Sequence, residues 1–159
     1  DKHWSYGARS SSSGALGQRP WLVSAPVQID KTAESLKEID REVREYASGN
    51  APPKAEEVAR IRAIQTLSLP GSFETAASVM STIGGIVNYG RPDDYVFKRK
   101  AEIESLTPEQ VKAAATTIDP DALTWVVVGD LKQIEQKVRA LNLGEVTVVD
   151  ADGKSVIRN

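Results

Sequence analysis

Tyr6 is the residue of this chain best suited to chemistry. It stands on an apparent strand ahead of a Ser/Gly-rich stretch, Ser10-Ser11-Ser12-Ser13-Gly14. From there a phenol O–H can donate to a peptide carbonyl or to a developing oxyanion. The competing reading is that the ring packs, and residue type alone leaves both open. Other candidates lack a complete set of groups. A zinc peptidase of the helical type needs two His and a carboxylate on one helix, whereas the sequence holds one His, His3, and no Cys. Structural zinc, which takes about four ligands, is left without donors by the same count. A Ser–His–Asp arrangement would have to recruit His3 beside the serine run, and no G-x-S-x-G is present. His3 therefore reads as a solvent-facing strand residue. The absence of Cys also rules out disulfides and thiolate nucleophiles.

Gly129-Asp130 follows an apolar run, as a phosphate-binding turn would. The G-x-G-x-x-G pattern is missing and the carboxylate would repel phosphate, so a plain strand-to-helix turn is the better reading. Lys98-Arg99-Lys100 has no interleaved aromatics and reads as solvated helix surface rather than a nucleic-acid site. Asp93-Asp94 and Glu56-Glu57 read as solvated faces or helix-start acids.

The elements that must position these residues follow from periodicity. Trp4, Tyr6 and Ala8 alternate with Ser5, Gly7 and Arg9, the two-residue period of a pleated strand. The serine-rich stretch to Gly17 reads as loop. Trp21, Val23, Ala25, Val27 and Ile29 then share one face of a second strand, with Pro26 placing it near a sheet edge. Together the two strands suggest a long antiparallel hairpin. Asp30 or Thr32 starts a helix along Ala33, Leu36, Ile39, Val43 and Tyr46, stopped by Gly49. Pro52-Pro53 opens a second helix carrying Val58, Ile61, Ile64 and Leu67. Ser72 caps a third, with Phe73, Ala76, Ala77, Met80, Ile83 and Val87 in one stripe. Gly84-Gly85 weakens this helix and suggests close packing or a bend.

After a turn-rich link, a short helix is expected over 95–105. Thr107-Pro108-Glu109-Gln110 is a capping box with Pro at the first helical position, predicting a helix to about Ile118. Leu123 to Val128 reads as a buried strand. Asp130 caps a helix bearing Leu131, Ile134, Val138 and Leu141. Val146 to Val149 is a last strand, and Asp152-Gly153 suggests a terminal hairpin turn.

At 159 residues the chain suits one domain. Its 40% hydrophobic and 26% charged content is ordinary for a globular protein, and a net charge of −2 gives no drive towards nucleic acid or anionic membranes. No apolar run approaches the roughly 20 residues of a membrane span. The fold class expected is α+β: a helical layer on one face of a largely antiparallel sheet. Four strands are few for that much helix, and the chain opens mid-strand. The expectation is therefore a single partial domain over 1–159 whose first strands lie upstream.

Residues His3-Trp4-Ser5-Tyr6-Gly7-Ala8-Arg9-Ser10-Ser11 resemble the R-E-x-x-x-x-x-Y-x-x-x-S strand of the pitrilysin/insulinase family of zinc metallopeptidases. Tyr89-Gly90-Arg91-Pro92-Asp93-Asp94-Tyr95 resembles the link before that family's last helices. Leu106-Thr107-Pro108-Glu109-Gln110-Val111 is similar to its L-T-x-E-x-V helix start, and Trp125-Val126-Val127-Val128-Gly129-Asp130 to its closing V-V-V-G-D strand.

The resemblance implies a two-half enzyme enclosing a peptide-binding chamber. One half carries H-x-x-E-H; the other supplies an Arg and a Tyr that hold substrate across the chamber. Tyr6 matches that Tyr, while the Arg falls just upstream of Asp1 and outside this sequence. The implied role is a non-catalytic C-terminal segment of a zinc metalloendopeptidase, forming chamber wall and contributing Tyr6 to substrate binding. The chain alone would then hold no metal and be inactive. The zinc would belong to a catalytic half in the same polypeptide or a partner subunit, with peptide as substrate. Bacterial members of this kind are often periplasmic, and that location is expected here. Two rivals remain: an inactive structural or assembly subunit of the same fold, in which Tyr6 only packs, and an unrelated α+β ligand-binding domain using the Gly129 turn. An open sheet edge would also permit self-association.

Overall fold

The computed structural model describes residues 3–156. Helices dominate it. Among the described residues the elements are β1 (Arg9–Ser12), β2 (Trp21–Ser24), α1 (Thr32–Ala47), α2 (Ala55–Leu67), α3 (Ala76–Asn88), α4 (Tyr95–Ser105), α5 (Pro108–Ala115) and α6 (Leu131–Arg139), with 3-10 turns at Ile29–Lys31 and Leu69–Phe73. β1 and β2 form a two-stranded sheet. A mixed helix-and-strand fold is thus present; among the described residues the sheet is limited to these two strands, a smaller sheet than the sequence suggested.

The residues fall into two compact units, which divide within α1. The first comprises residues up to Arg9, Val23–Arg41 and the chain from Thr124 onward. Here Ser5 pairs antiparallel with Val27, and the Gln28 N–H donates to the Trp4 carbonyl at 2.9 Å. The antiparallel return of the chain is as expected. α1 begins where Thr32 donates its hydroxyl to the Ile29 carbonyl, and its Ala33 and Leu36 are buried. α6 packs on the Ile29–Lys31 turn and buries Ile134. Its start is the Asp130 cap expected from the sequence, with the carboxylate accepting the Lys132 N–H at 3.1 Å. The expected C-terminal turn is present, with Gly153 at φ +78°, but the strand expected over 146–149 is reduced to an isolated antiparallel bridge between Val149 and Ser155.

The second unit comprises Ser10–Leu22 and Glu42–Leu123. α1 ends at Ala47, and Gly49 stops it with φ +74°. α2 and α4 pack together, burying Val58 and Ile103 respectively. Arg62 of α2 donates to the Glu104 and Leu106 carbonyls, satisfying groups that the end of α4 leaves unpaired. The capping box of α5 closes as predicted: Thr107 Oγ1 accepts the Gln110 N–H at 3.2 Å, and Gln110 Oε1 accepts the Thr107 N–H at 2.9 Å. The α-helix stops at Ala115, short of Ile118, because Thr116, Thr117 and Ile118 turn with tighter i→i−3 bonds.

Several expectations need correction. Ser10–Ser12, read as loop, belongs to β1, because cross-strand pairing with β2 overrides the weak strand preference of serine. Pro52-Pro53 precedes α2 rather than lying in its first turn. Thr75, not Ser72, caps α3 by accepting the Ser78 N–H, since residues 69–73 are taken up by a 3-10 turn. The apolar stripes of these two helices are largely solvent-facing: Ile61, Ile64 and Leu67 of α2 and Met80, Ile83 and Val87 of α3 are exposed. Leu123–Val128 is extended but unpaired among the described residues, and Val126 and Val128 are exposed. Its alternation of half-buried and exposed residues is that of a strand packed on one face. The apolar content had suggested burial on both.

Gly84 is a further departure, because a methyl group there would meet nothing within 4 Å. The close packing expected at Gly84-Gly85 is not what the structure shows. Gly84→Ala should therefore stabilise the chain by about 0.5–1 kcal/mol, by restricting the unfolded state and favouring the helix. A denaturant midpoint that fell on substitution would contradict this.

Candidate functional site around Tyr6

Local bonding, more than strand periodicity, determines how Tyr6 is presented. The Ser5 hydroxyl accepts the Gly7 N–H at 3.0 Å and lies 2.6 Å from the Pro26 carbonyl, to which it donates. Pro26 has no N–H to donate, and its carbonyl accepts this side-chain bond, which ties the two segments. Gly7 then takes φ +151°, a backbone conformation that residues other than glycine rarely adopt. The resulting turn pushes residue 6 outward. Tyr6 is fully exposed, and among the described residues its hydroxyl has no partner. The packing reading of Tyr6 is therefore not realised in this structure. Gly7→Ala should cost about 1–3 kcal/mol in backbone strain. The check is a lowered Tm accompanied by altered NMR shifts at Ser5 and Tyr6; unchanged values would contradict it.

Beside Tyr6 lies a shallow groove of about 490 Å³. Trp4, Ser5 and Ala8 form one side, Ala25 and Val27 continue it, and Ser35, Glu38 and Ile39 of α1 form the other. Residues 35, 38 and 39 are spaced to share one helix face. The Trp4 ring also faces the Lys31 ammonium, 5.9 Å from the ring centroid. The groove is thus mainly apolar, with a carboxylate on the helix side. Glu38 is ion-paired with Arg41 at 2.6 Å. Ser35 is buried, and among the described residues its hydroxyl has no hydrogen-bond partner.

Other sequence candidates are not brought to this place in catalytic form. His3 is exposed and lines the groove, with its backbone at φ +53°. Among the described residues no group of three or more His, Asp or Glu is placed to hold a metal ion. Asp130 uses one carboxylate oxygen on the Lys132 N–H and the other on the Gln133 side-chain amide at 2.8 Å, so the N-terminus of α6 is already filled by an anionic cap. The Gly129 turn is thereby ill suited to phosphate. Lys98 and Arg99 pair with Asp94 and Glu102 at 3.0 and 3.7 Å, and Lys100 with Glu104, as expected of a solvated helix surface.

Sequence reasoning missed one constellation in the second unit. The Arg91 guanidinium lies between Tyr89 and Tyr95, 4.6 and 4.3 Å from the two ring centroids. Two cation–π contacts fix the α3–α4 link. The Tyr89 hydroxyl also lies over Gly14, where a methyl group would sit 2.7 Å from it. The Y-x-R-x-x-x-Y spacing was the available signal.

No family model matches the sequence, and no curated protein matches it significantly. Among solved structures the chain is similar to a peptidase M16 inactive domain from Pseudomonas fluorescens, with a TM-score of 0.65 over 75% of this chain at 20% identity. The chain has the fold of that inactive domain. It spans only 28% of the length of that protein. The likeness agrees with the family resemblance carried by the Tyr6, Thr107 and Val126 motifs, and it is a likeness to a domain described as inactive.

Proposed function

We propose that this chain is a non-catalytic C-terminal segment of a zinc-dependent metalloendopeptidase of the M16 type. It forms part of a substrate-chamber wall and presents Tyr6 to peptide bound at a zinc site elsewhere in the parent protein or in a partner subunit. A periplasmic location goes with this reading. The observation that carries it is the fully exposed Tyr6 phenol, without a partner among the described residues, on a segment held by Ser5 and Gly7 in a fold like that of an M16 inactive domain. A phenol so held can donate one hydrogen bond to a substrate carbonyl, and more strongly to the oxyanion as charge develops there.

The experiment is substitution of Tyr6 by Phe in the full-length protein, followed by turnover and zinc occupancy. Loss of turnover at full zinc occupancy supports the role; unchanged turnover refutes it. The rival reading is an inactive structural subunit of the same fold, and the description of the solved neighbour as an inactive domain is what favours it. In that case the intact assembly shows no dependence on Tyr6.

A further inference from the structure

Tyr6 is fully exposed, so the direction of its phenol is set by the backbone on either side and not by packing of the ring. Upstream, that backbone is tied down by its neighbour: the Gln28 N–H donates to the Trp4 carbonyl at 2.9 Å, and Ser5 pairs antiparallel with Val27. From Ser5 onward the hold passes to a side chain. The Ser5 hydroxyl has one proton, and the Pro26 carbonyl at 2.6 Å is nearer to it than the Gly7 carbonyl at 2.9 Å. It therefore donates to Pro26 and accepts the Gly7 N–H at 3.0 Å. One hydroxyl thus grips the opposing segment before Tyr6 and the main chain after it. The residue between is the apex of a serine-closed turn.

We propose that Ser5 is a positioning residue for Tyr6: its hydroxyl, bonded to the Pro26 carbonyl and the Gly7 N–H, aims the phenol at the substrate without touching substrate itself. The inference rests on the substrate-binding reading of Tyr6 and adds a second residue to it. Burial separates this role from a merely structural one. Ser5, Gly7 and Pro26 are all exposed, so water can satisfy their polar groups if the hydroxyl is lost, and the fold loses little. Water cannot hold the turn. Gly7 has no Cβ, and once its amide is released it is free to take many backbone conformations. Tyr6 then points in many directions. Removing the hydroxyl should therefore cost aim more than stability, and a misplacement of about 1 Å at a reacting centre can cost about 100-fold in rate.

The test is a double-mutant cycle in the full-length protein. Ser5→Ala should lower kcat about 10-fold and change KM less, with zinc occupancy and melting temperature unchanged. Ser5→Thr keeps the hydroxyl and adds a methyl group at an exposed position, so it should recover most of that loss. In a Tyr6→Phe background there is no phenol hydroxyl left to aim, and Ser5→Ala should then lower kcat less than about twofold. Turnover that survives Ser5→Ala but falls with Tyr6→Phe overturns this proposal and leaves the reading of Tyr6 standing. An equal loss from Ser5→Ala with and without the phenol also overturns it, as does a Thr variant no more active than the Ala variant. If Tyr6→Phe itself has no effect, the substrate-binding reading fails and this inference falls with it.

Discussion

In the intact protein, Tyr6→Phe should lower turnover about 100-fold, the usual cost of losing one donor to a developing oxyanion. KM should change less than kcat, because the bond strengthens as charge develops. Zinc occupancy and thermal stability should be unchanged. Tyr6 is fully exposed, and its hydroxyl has no partner among the described residues, so removing that oxygen breaks no contact of the fold. Steady-state kinetics with metal analysis and a thermal melt separate these outcomes. An equal fall in turnover and zinc content would mean structural damage instead of a lost substrate contact. The structural-subunit reading expects no effect on any of the three.

Ile103→Ala should destabilise the chain by about 2–5 kcal/mol, the range for truncating a buried isoleucine. Ile103 is among the few large apolar side chains buried in the second unit, where α4 packs on α2. No side chain among the described residues is completely enclosed. Against an ordinary domain stability of roughly 5–15 kcal/mol, that loss is a large share. Ile64→Ala is the control. Ile64 sits on α2 but faces solvent, and its truncation should shift stability by no more than about 0.5 kcal/mol. Urea unfolding of both variants, read by circular dichroism, is the measurement. Equal losses would show that the exposed stripe of α2 is buried in solution.

The contrast between these two isoleucines shows what was legible in the sequence. Helix starts were readable where one or two turns of chain contain all the partners. Thr107 with Gln110 and Asp130 with Lys132 close within three residues, and the α4 bounds and the Asp152-Gly153 turn are similarly local. Which side of a helix is buried depends on distant packing. The periodic residues Val58, Ile61, Ile64 and Leu67 therefore read as one apolar face, although only Val58 is buried. Strand pairing is non-local in the same way. Ser10–Ser12 became a strand through Trp21–Ser24, and the valine-rich 123–128 has no pairing partner among the described residues.

The candidate site was half legible. Tyr6 was identifiable from its residue type and motif. Its outward presentation was not, because it depends on the Ser5 hydroxyl reaching Pro26 across 21 residues and on the φ of Gly7. The same bonding breaks the alternation that had placed Trp4, Tyr6 and Ala8 together: Trp4 and Ala8 line the groove, and Tyr6 does not. The Arg91 sandwich is not legible from periodicity because Tyr89 and Arg91 lie in a turn-rich link and Tyr95 at the start of the next helix, and nothing in the pattern brings the rings to the charge.

The central claim is that this chain serves a zinc site it does not itself contain. Its most direct test is zinc content and peptide cleavage measured on the chain alone and again with the catalytic half supplied. The account predicts no stoichiometric zinc and no cleavage for the chain alone, and Tyr6-dependent cleavage once the zinc-bearing half is present. An isolated chain that binds zinc stoichiometrically and cleaves peptide would contradict it.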